Sequence, residues 1–188
     1  LGAAPTREGD NLGLELTAMS SCSLRGVVLG AGTPKVIVPL TATTLPALLT
    51  QADSVIAAAP DVVEWRFDFL ENALQADELV AAGKALRSRL AETPLLATFR
   101  TADEGGEQVV APEAYAALYE ALIAAGVPDA VDVEIFRDEA VVDRIIAAAH
   151  AADVKVIASN HEFGHTPAAE ELVRRLLLME RRGADVLK

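Results

Sequence analysis

Six short apolar segments rich in β-branched residues begin near positions 35, 62, 95, 130, 155 and 184, and five stretches of helical periodicity fill the gaps between them. In the first gap Leu45, Leu48, Leu49, Ala52, Val55, Ile56 and Ala59 recur at intervals of three and four, and so do Tyr115, Leu118, Tyr119, Leu122 and Ile123 further on. Val141, Val142, Ile145, Ile146 and Ala149 repeat the pattern, as do Leu172, Val173, Leu176 and Leu177. A further helix runs from about Leu74 to Leu90, interrupted by Gly83. Pro112 and Pro167 stand where first-turn prolines belong, and Gly126 and Gly183 follow the last periodic residues as C-terminal caps. A strand and a helix alternating at this spacing make βα units, and hence a parallel α/β sheet.

The strand ends discriminate between parallel folds. Buried parallel strands are expected to be apolar throughout. Yet Val62-Val63-Glu64-Trp65-Arg66, Leu95-Leu96-Ala97-Thr98-Phe99-Arg100, Val131-Asp132-Val133-Glu134-Ile135, Val156-Ile157-Ala158-Ser159-Asn160-His161 and Gly183-Ala184-Asp185-Val186-Leu187-Lys188 all carry charged or ionisable residues at or near their C-terminal ends. A doubly wound sheet concentrates such groups at one crossover point. Polar residues on nearly every strand fit the C-terminal mouth of a (βα)8 TIM barrel. Gly26-Val27-Val28-Leu29 and Val36-Ile37-Val38, flanking Gly30 to Pro34, read as an N-terminal hairpin that plugs the bottom of the barrel. Six strands do not close an eight-stranded barrel, so the sequence ending at Lys188 reads as a barrel domain over 26–188 that lacks its C-terminal part. Residues 1–25 read as a poorly ordered extension with no signal peptide.

Composition narrows the function classes. With 52% hydrophobic residues the chain is globular, and a formal net charge of −12 disfavours nucleic acid and anionic membrane surfaces as partners. No apolar run is long enough to span a membrane. The single Cys22 rules out an internal disulfide framework and points to a reducing, cytoplasmic setting. Three scattered histidines give no metal-ligand spacing, so no metal is expected.

Among the ionisable residues, Lys188 is one of only four lysines and ends a strand expected to be buried. In a dry pocket near other cations such an amine becomes a nucleophile able to form a Schiff base; a strand-end lysine reaching solvent is the alternative. His161, following an apolar run, is a proton shuttle or a structural histidine. Glu64 and Arg66 point to one side of their strand with Trp65 on the other, either lining the mouth or forming a buried ion pair. Arg100 opens a loop, Thr101 to Gly106, whose two glycines let the chain fold Glu104 back over the strand ends. Asp132 and Glu134 share a face and can orient the histidine or the lysine.

Taken together, Val63-Glu64-Trp65-Arg66-Phe67-Asp68, Thr98-Phe99-Arg100-Thr101 with Glu104-Gly105-Gly106, Asp132-Val133-Glu134, Ser159-Asn160-His161-Glu162-Phe163 with Thr166-Pro167, and Gly183-Ala184-Asp185 with Lys188 resemble type I 3-dehydroquinate dehydratase from about residue 26 onwards. Two departures show: Glu162 stands where the family usually has Asp or Asn, and the family's last two strands, with a carboxylate-binding arginine and a serine and glutamine loop, lie beyond Lys188. The resemblance implies a Schiff-base dehydration of 3-dehydroquinate to 3-dehydroshikimate in the shikimate pathway, with no metal and no organic cofactor. It implies catalytic roles for Lys188, His161 and Glu104, substrate contacts from Glu64, Arg66 and Arg100, and support from Asp132 and Glu134. Arg66 is expected near the Lys188 amine. A Schiff-base aldolase on the same barrel and a catalytically silent dehydroquinase-like binding domain are the competing readings. Apolar outer helices and the prevalence of two-fold symmetry suggest a homodimer.

Overall fold

The computed structural model describes residues 21–188. Two short strands, β1 (Cys22–Leu24) and β2 (Val27–Leu29), form an antiparallel hairpin. Six parallel strands follow: β3 (Ile37–Leu40), β4 (Val62–Arg66), β5 (Leu95–Thr98), β6 (Ala130–Glu134), β7 (Lys155–Ser159) and β8 (Val186–Leu187). The five helices between them are α1 (Leu45–Ala57), α2 (Ala76–Leu90), α3 (Pro112–Ala124), α4 (Glu139–Ala151) and α5 (Ala169–Arg181). The strands lie in the sheet in strict chain order, β3 to β8, with no reversal. A doubly wound sheet reverses its strand order part-way, so this is the wall of a βα barrel.

Alternation along the strands divides their side chains between two cores. Val63, Trp65, Leu95, Ala97, Phe99, Val131, Val133, Val156 and Ala158 face outward into the main core beneath the helices. There Trp65, Phe67, Phe99, Tyr115 and Tyr119 form a chain of tilted and edge-to-face rings with centroids 5.0–6.2 Å apart. Val62, Leu96, Ala130 and Ile157 face inward at the N-terminal ends of their strands and pack with Cys22 and Leu24 of the hairpin. The hairpin therefore floors the barrel.

Four local expectations change. The hairpin uses Cys22 to Leu29 rather than Gly26 to Val38, because Arg25 and Gly26, with φ of 44° and 84°, make a two-residue turn whose twist suits a hairpin. Val36 to Leu40 instead pairs with β4. Consequently the first 25 residues are not all an extension: Cys22–Leu24 is a strand of the fold, and residues 1–20 lie outside the described residues. Helix α2 begins at Ala76 and passes unbroken through Gly83, where a Cβ would stand 2.9 Å from Val127 and 3.1 Å from Leu122 and Trp65. Gly83 is there so that the helix can lie close on Trp65. Pro167 precedes α5 by two residues, whereas Pro112 does open α3 and Gly126 and Gly183 do take positive φ. Among the described residues no helix is long and apolar enough to cross a membrane.

Candidate active site

Above the apolar floor, every second residue of the strands projects inward and is polar: Glu64 and Arg66 from β4, Thr98 and Arg100 from β5, Asp132 and Glu134 from β6, Ser159 and His161 from β7, and Lys188 just past β8. Their hydrogen bonds run across the strands rather than along them, which knits the mouth into one network.

Arg100 is the hub. Its side chain, only 5% exposed, donates from Nη2 to Asp132 Oδ1 at 2.6 Å and from Nη1 to Glu134 Oε1 at 3.1 Å, Ser159 Oγ at 3.0 Å and Glu104 Oε2 at 3.4 Å. Burial works against its charge, but Asp132 and Glu134 outweigh that and hold its pKa above the ordinary value. Asp132 mirrors this: burial alone would raise its pKa, but Arg100, then Lys188 and the Ser159 hydrogen bond, bring it below the ordinary value. Glu134 goes the other way, because burial prevails over the hydrogen bonds it receives from the Thr101 amide and hydroxyl, both 2.8 Å. Glu134 thus holds Arg100 and the start of the β5 loop, and neither the histidine nor the lysine rests on it.

Glu104 sits in the single-turn 3-10 segment Ala102–Glu104 and is carried back over the strand ends by the glycines that follow. Gly106 has no room for a side chain, since a Cβ there would fall 1.8 Å from the Arg100 carbonyl oxygen. Glu104 Oε2 accepts from the His161 ring at Nδ1, 2.9 Å away, and from the His161 amide at 3.1 Å. A carboxylate oxygen here only accepts, so Nδ1 carries the proton and Nε2 is left as the basic nitrogen. Phe163 stacks against the imidazole with centroids 6.4 Å apart. A cleft of about 400 Å³ opens beside the ring, bounded by Asp103, Glu104, Glu134, Arg137 and Asn160.

Lys188 is inward-facing but not deeply buried. Its side chain is 45% exposed, because among the described residues β8 has no neighbour on its outer side. The amine donates to Asp132 Oδ2 at 3.0 Å, so its charge partner is a carboxylate. Arg66 is not its neighbour in this network: it is held in a fork on the fully buried Asp68, Nε to Oδ1 and Nη2 to Oδ2 both at 2.8 Å, and lies over the Phe69 ring. Glu64 accepts instead from Thr98 Oγ1 at 2.7 Å, so Glu64 and Arg66 line the mouth as separate pairs and not as one ion pair.

A family model described as type I 3-dehydroquinase matches residues 36–188, which is most of the chain. The chain belongs to the type I 3-dehydroquinase family. It is 46% identical over 165 residues to the 3-dehydroquinate dehydratase of Lactiplantibacillus plantarum, covering 88% of this chain and 66% of that protein. It is 46% identical over 170 residues to the one from Listeria monocytogenes, covering 90% and 68%. Among solved structures, the type I 3-dehydroquinate dehydratase of Clostridium difficile, with covalently modified comenic acid, superposes with a TM-score of 0.87 at 36% identity, covering 89% of this chain and 66% of that one. The enzyme from Enterococcus faecalis gives 0.84 at 38% identity, covering 87% and 68%. The chain therefore spans about two thirds of the length of these relatives. The six-stranded wall corresponds to the greater part of the family's barrel.

Within this dehydroquinase mouth, four polar residues to which the sequence alone assigns no role take part in the network. Thr98 and Ser159 had a usable signal, each lying two residues before an expected site residue on the same strand face. Asp68, which forks Arg66, and Asn160, which donates to Glu104, stand inside the quoted motifs, but nothing in the sequence gives either its partner.

Proposed function

We propose that this chain carries the reacting groups of a 3-dehydroquinate dehydratase, which removes water from 3-dehydroquinate to give 3-dehydroshikimate. The observation that supports this most strongly is one mouth holding an amine, Lys188, on a strand adjacent to the one that delivers His161, with the imidazole already bonded to Glu104. A binding module has no need of both a nucleophile and an oriented base.

In the proposed sequence the Lys188 amine, once neutral, adds to the C3 ketone, and loss of water leaves a cationic imine. The imine draws electrons from the neighbouring C2–H bond, and His161 Nε2 takes that proton. The electron pair left on C2 forms the C1–C2 double bond as the C1 hydroxyl departs with a proton from His161. Hydrolysis of the imine returns the lysine and releases product. Glu104 stabilises the imidazolium that forms in passing. Asp132 takes the lysine's charge at rest and positions the amine. Glu64, Arg66 and Arg100 are assigned to the substrate's oxygens, Arg100 chiefly as the scaffold that fixes the carboxylates around it. No organic cofactor or metal takes part in this scheme. The reaction is placed in the cytoplasm, where the lone reduced Cys22 is at home, within a domain starting at the floor hairpin. The assembly is proposed as a homodimer, which sedimentation at micromolar concentration tests.

Borohydride added to the full-length protein with 3-dehydroquinate should reduce the imine and add the ligand's mass to the Lys188 peptide. Labelling at Lys35, Lys84 or Lys155 instead would refute the assignment. His161→Ala should retain labelling and lose turnover by roughly 10²- to 10⁴-fold.

A further inference from the structure

Helix α5 reaches into the mouth through one side chain. Arg175 donates from Nη1 to Asn160 Oδ1 at 2.5 Å and to Glu162 Oε2 at 3.2 Å, is braced through Nε by Glu171 Oε1 at 2.7 Å, and lies over the Phe136 ring. Asn160 Nδ2 donates in turn to Glu104 Oε1 at 3.2 Å. Among the described residues that oxygen has no other donor, whereas Oε2 has three, from Arg100, the His161 main-chain N–H and the His161 ring. We propose that Asn160, its amide fixed by Arg175, is a positioning residue that aims the Glu104 carboxylate at His161.

The orientation of the amide follows from chemistry. A guanidinium only donates, so Asn160 must turn its oxygen to Arg175, and its NH₂ is then the end that meets Glu104. Without Arg175 the amide is free to rotate by half a turn and present an oxygen to a carboxylate. The backbone of the same residue holds the lysine strand: the Asn160 main-chain N–H donates to the Lys188 carbonyl at 3.2 Å, and the Lys188 main-chain N–H donates to the Ala158 carbonyl at 2.9 Å. Asn160 thus ties the base and the amine nucleophile together, and Arg175 sets it from outside the strands. Glu162 takes part by accepting from the same Nη1 that donates to Asn160.

The inference rests on the reading that Glu104 and His161 act as a base pair in the dehydratase, so two readouts are needed. The first is spectroscopic and needs no turnover: the downfield ¹H resonance of His161 Nδ1–H in the ligand-free, full-length protein. Arg175→Met should shift this resonance upfield or broaden it by exchange, and Arg175→Lys, which can still donate to Asn160 Oδ1, should restore it. The second is kinetic. Arg175→Met and Asn160→Ala should lower kcat by about 10-fold with KM nearly unchanged, because a misplaced carboxylate costs the reacting geometry and not substrate binding. Asn160→Asp should fall further, since it sets a second carboxylate against Glu104. A resonance and kcat unchanged in both Arg175→Met and Asn160→Ala would overturn the proposal, as would a loss of thermal stability with the resonance still in place. Should the wild-type protein show the resonance and its response to substitution but no turnover of 3-dehydroquinate, the functional reading falls and the positioning role stands.

Discussion

Asp132 receives donors from Arg100, Ser159 and Lys188 while wholly withdrawn from water, so its charge is at once costly to bury and well compensated. Replacing it by Asn removes the anion and turns an NH₂ group toward donors, leaving two cations short of a partner; folded stability should drop by about 3 kcal/mol. The pH dependence carries a sign. The folded pKa of Asp132 is below the unfolded value of about 3.9, so its contribution is fully present above that value and is lost as the pH falls through the lower, folded one. The gap in urea midpoint between wild type and Asp132→Asn should therefore stay constant from neutral pH to about pH 4 and narrow below it. A gap already closing at pH 6 would show that Asp132 does not hold its charge in the way described. Glu134, raised by burial, responds in the opposite sense, which is why the comparison must be made through Asp132 alone and not through the acid midpoint of the whole protein.

The Thr101 to Gly106 loop is the element on which the base depends. The Gly106 amide donates to the Thr101 carbonyl at 2.8 Å, which closes the loop so tightly that the chain passes against the Arg100 carbonyl. Gly106→Ala cannot be relieved by rotating a side chain, because the obstacle is backbone; the loop must open and carry Glu104 away. A displacement of about 1 Å should cost kcat roughly 10²-fold. Steady-state kinetics checks this, and near-normal kcat would mean that Glu104 is not the group that orients His161. The sequence announces this loop through its paired glycines, and it announces the strands because outward Trp65 and Val133 alternate with inward Glu64, Arg66, Asp132 and Glu134. It hides what depends on partners far along the chain. Arg175 looks like any helix-surface charge until α5 is docked over β7 and β8, and Asp68 looks like the end of a strand until Arg66 folds back on it. The hairpin is ambiguous for the opposite reason: Val36-Ile37-Val38 is as good an arm for a hairpin as for a parallel strand, and only pairing with β4 decides.

At the scale of the whole molecule, the wall of six strands ends, among the described residues, in two unequal edges. Val36, just before β3, and Ile37 at its start are exposed, as are Leu172, Val173, Leu176 and Leu177 on α5 and Leu187 on β8. Unpaired parallel edges next to apolar patches favour association. A polypeptide of these 188 residues should therefore self-associate in sedimentation at micromolar concentration and bind a hydrophobic dye such as ANS; a monodisperse monomer without dye binding would contradict this. At the other end of the strands the hairpin of Cys22 to Leu29 seals the floor with Val62, Leu96, Ala130 and Ile157. On the proposed reading, in the closed barrel of the full-length protein that floor makes the strand interior a dead-end street. Each product molecule must back out past the point where the next substrate waits, so the two queue for a single doorway, and product should raise the apparent KM without touching the maximal rate.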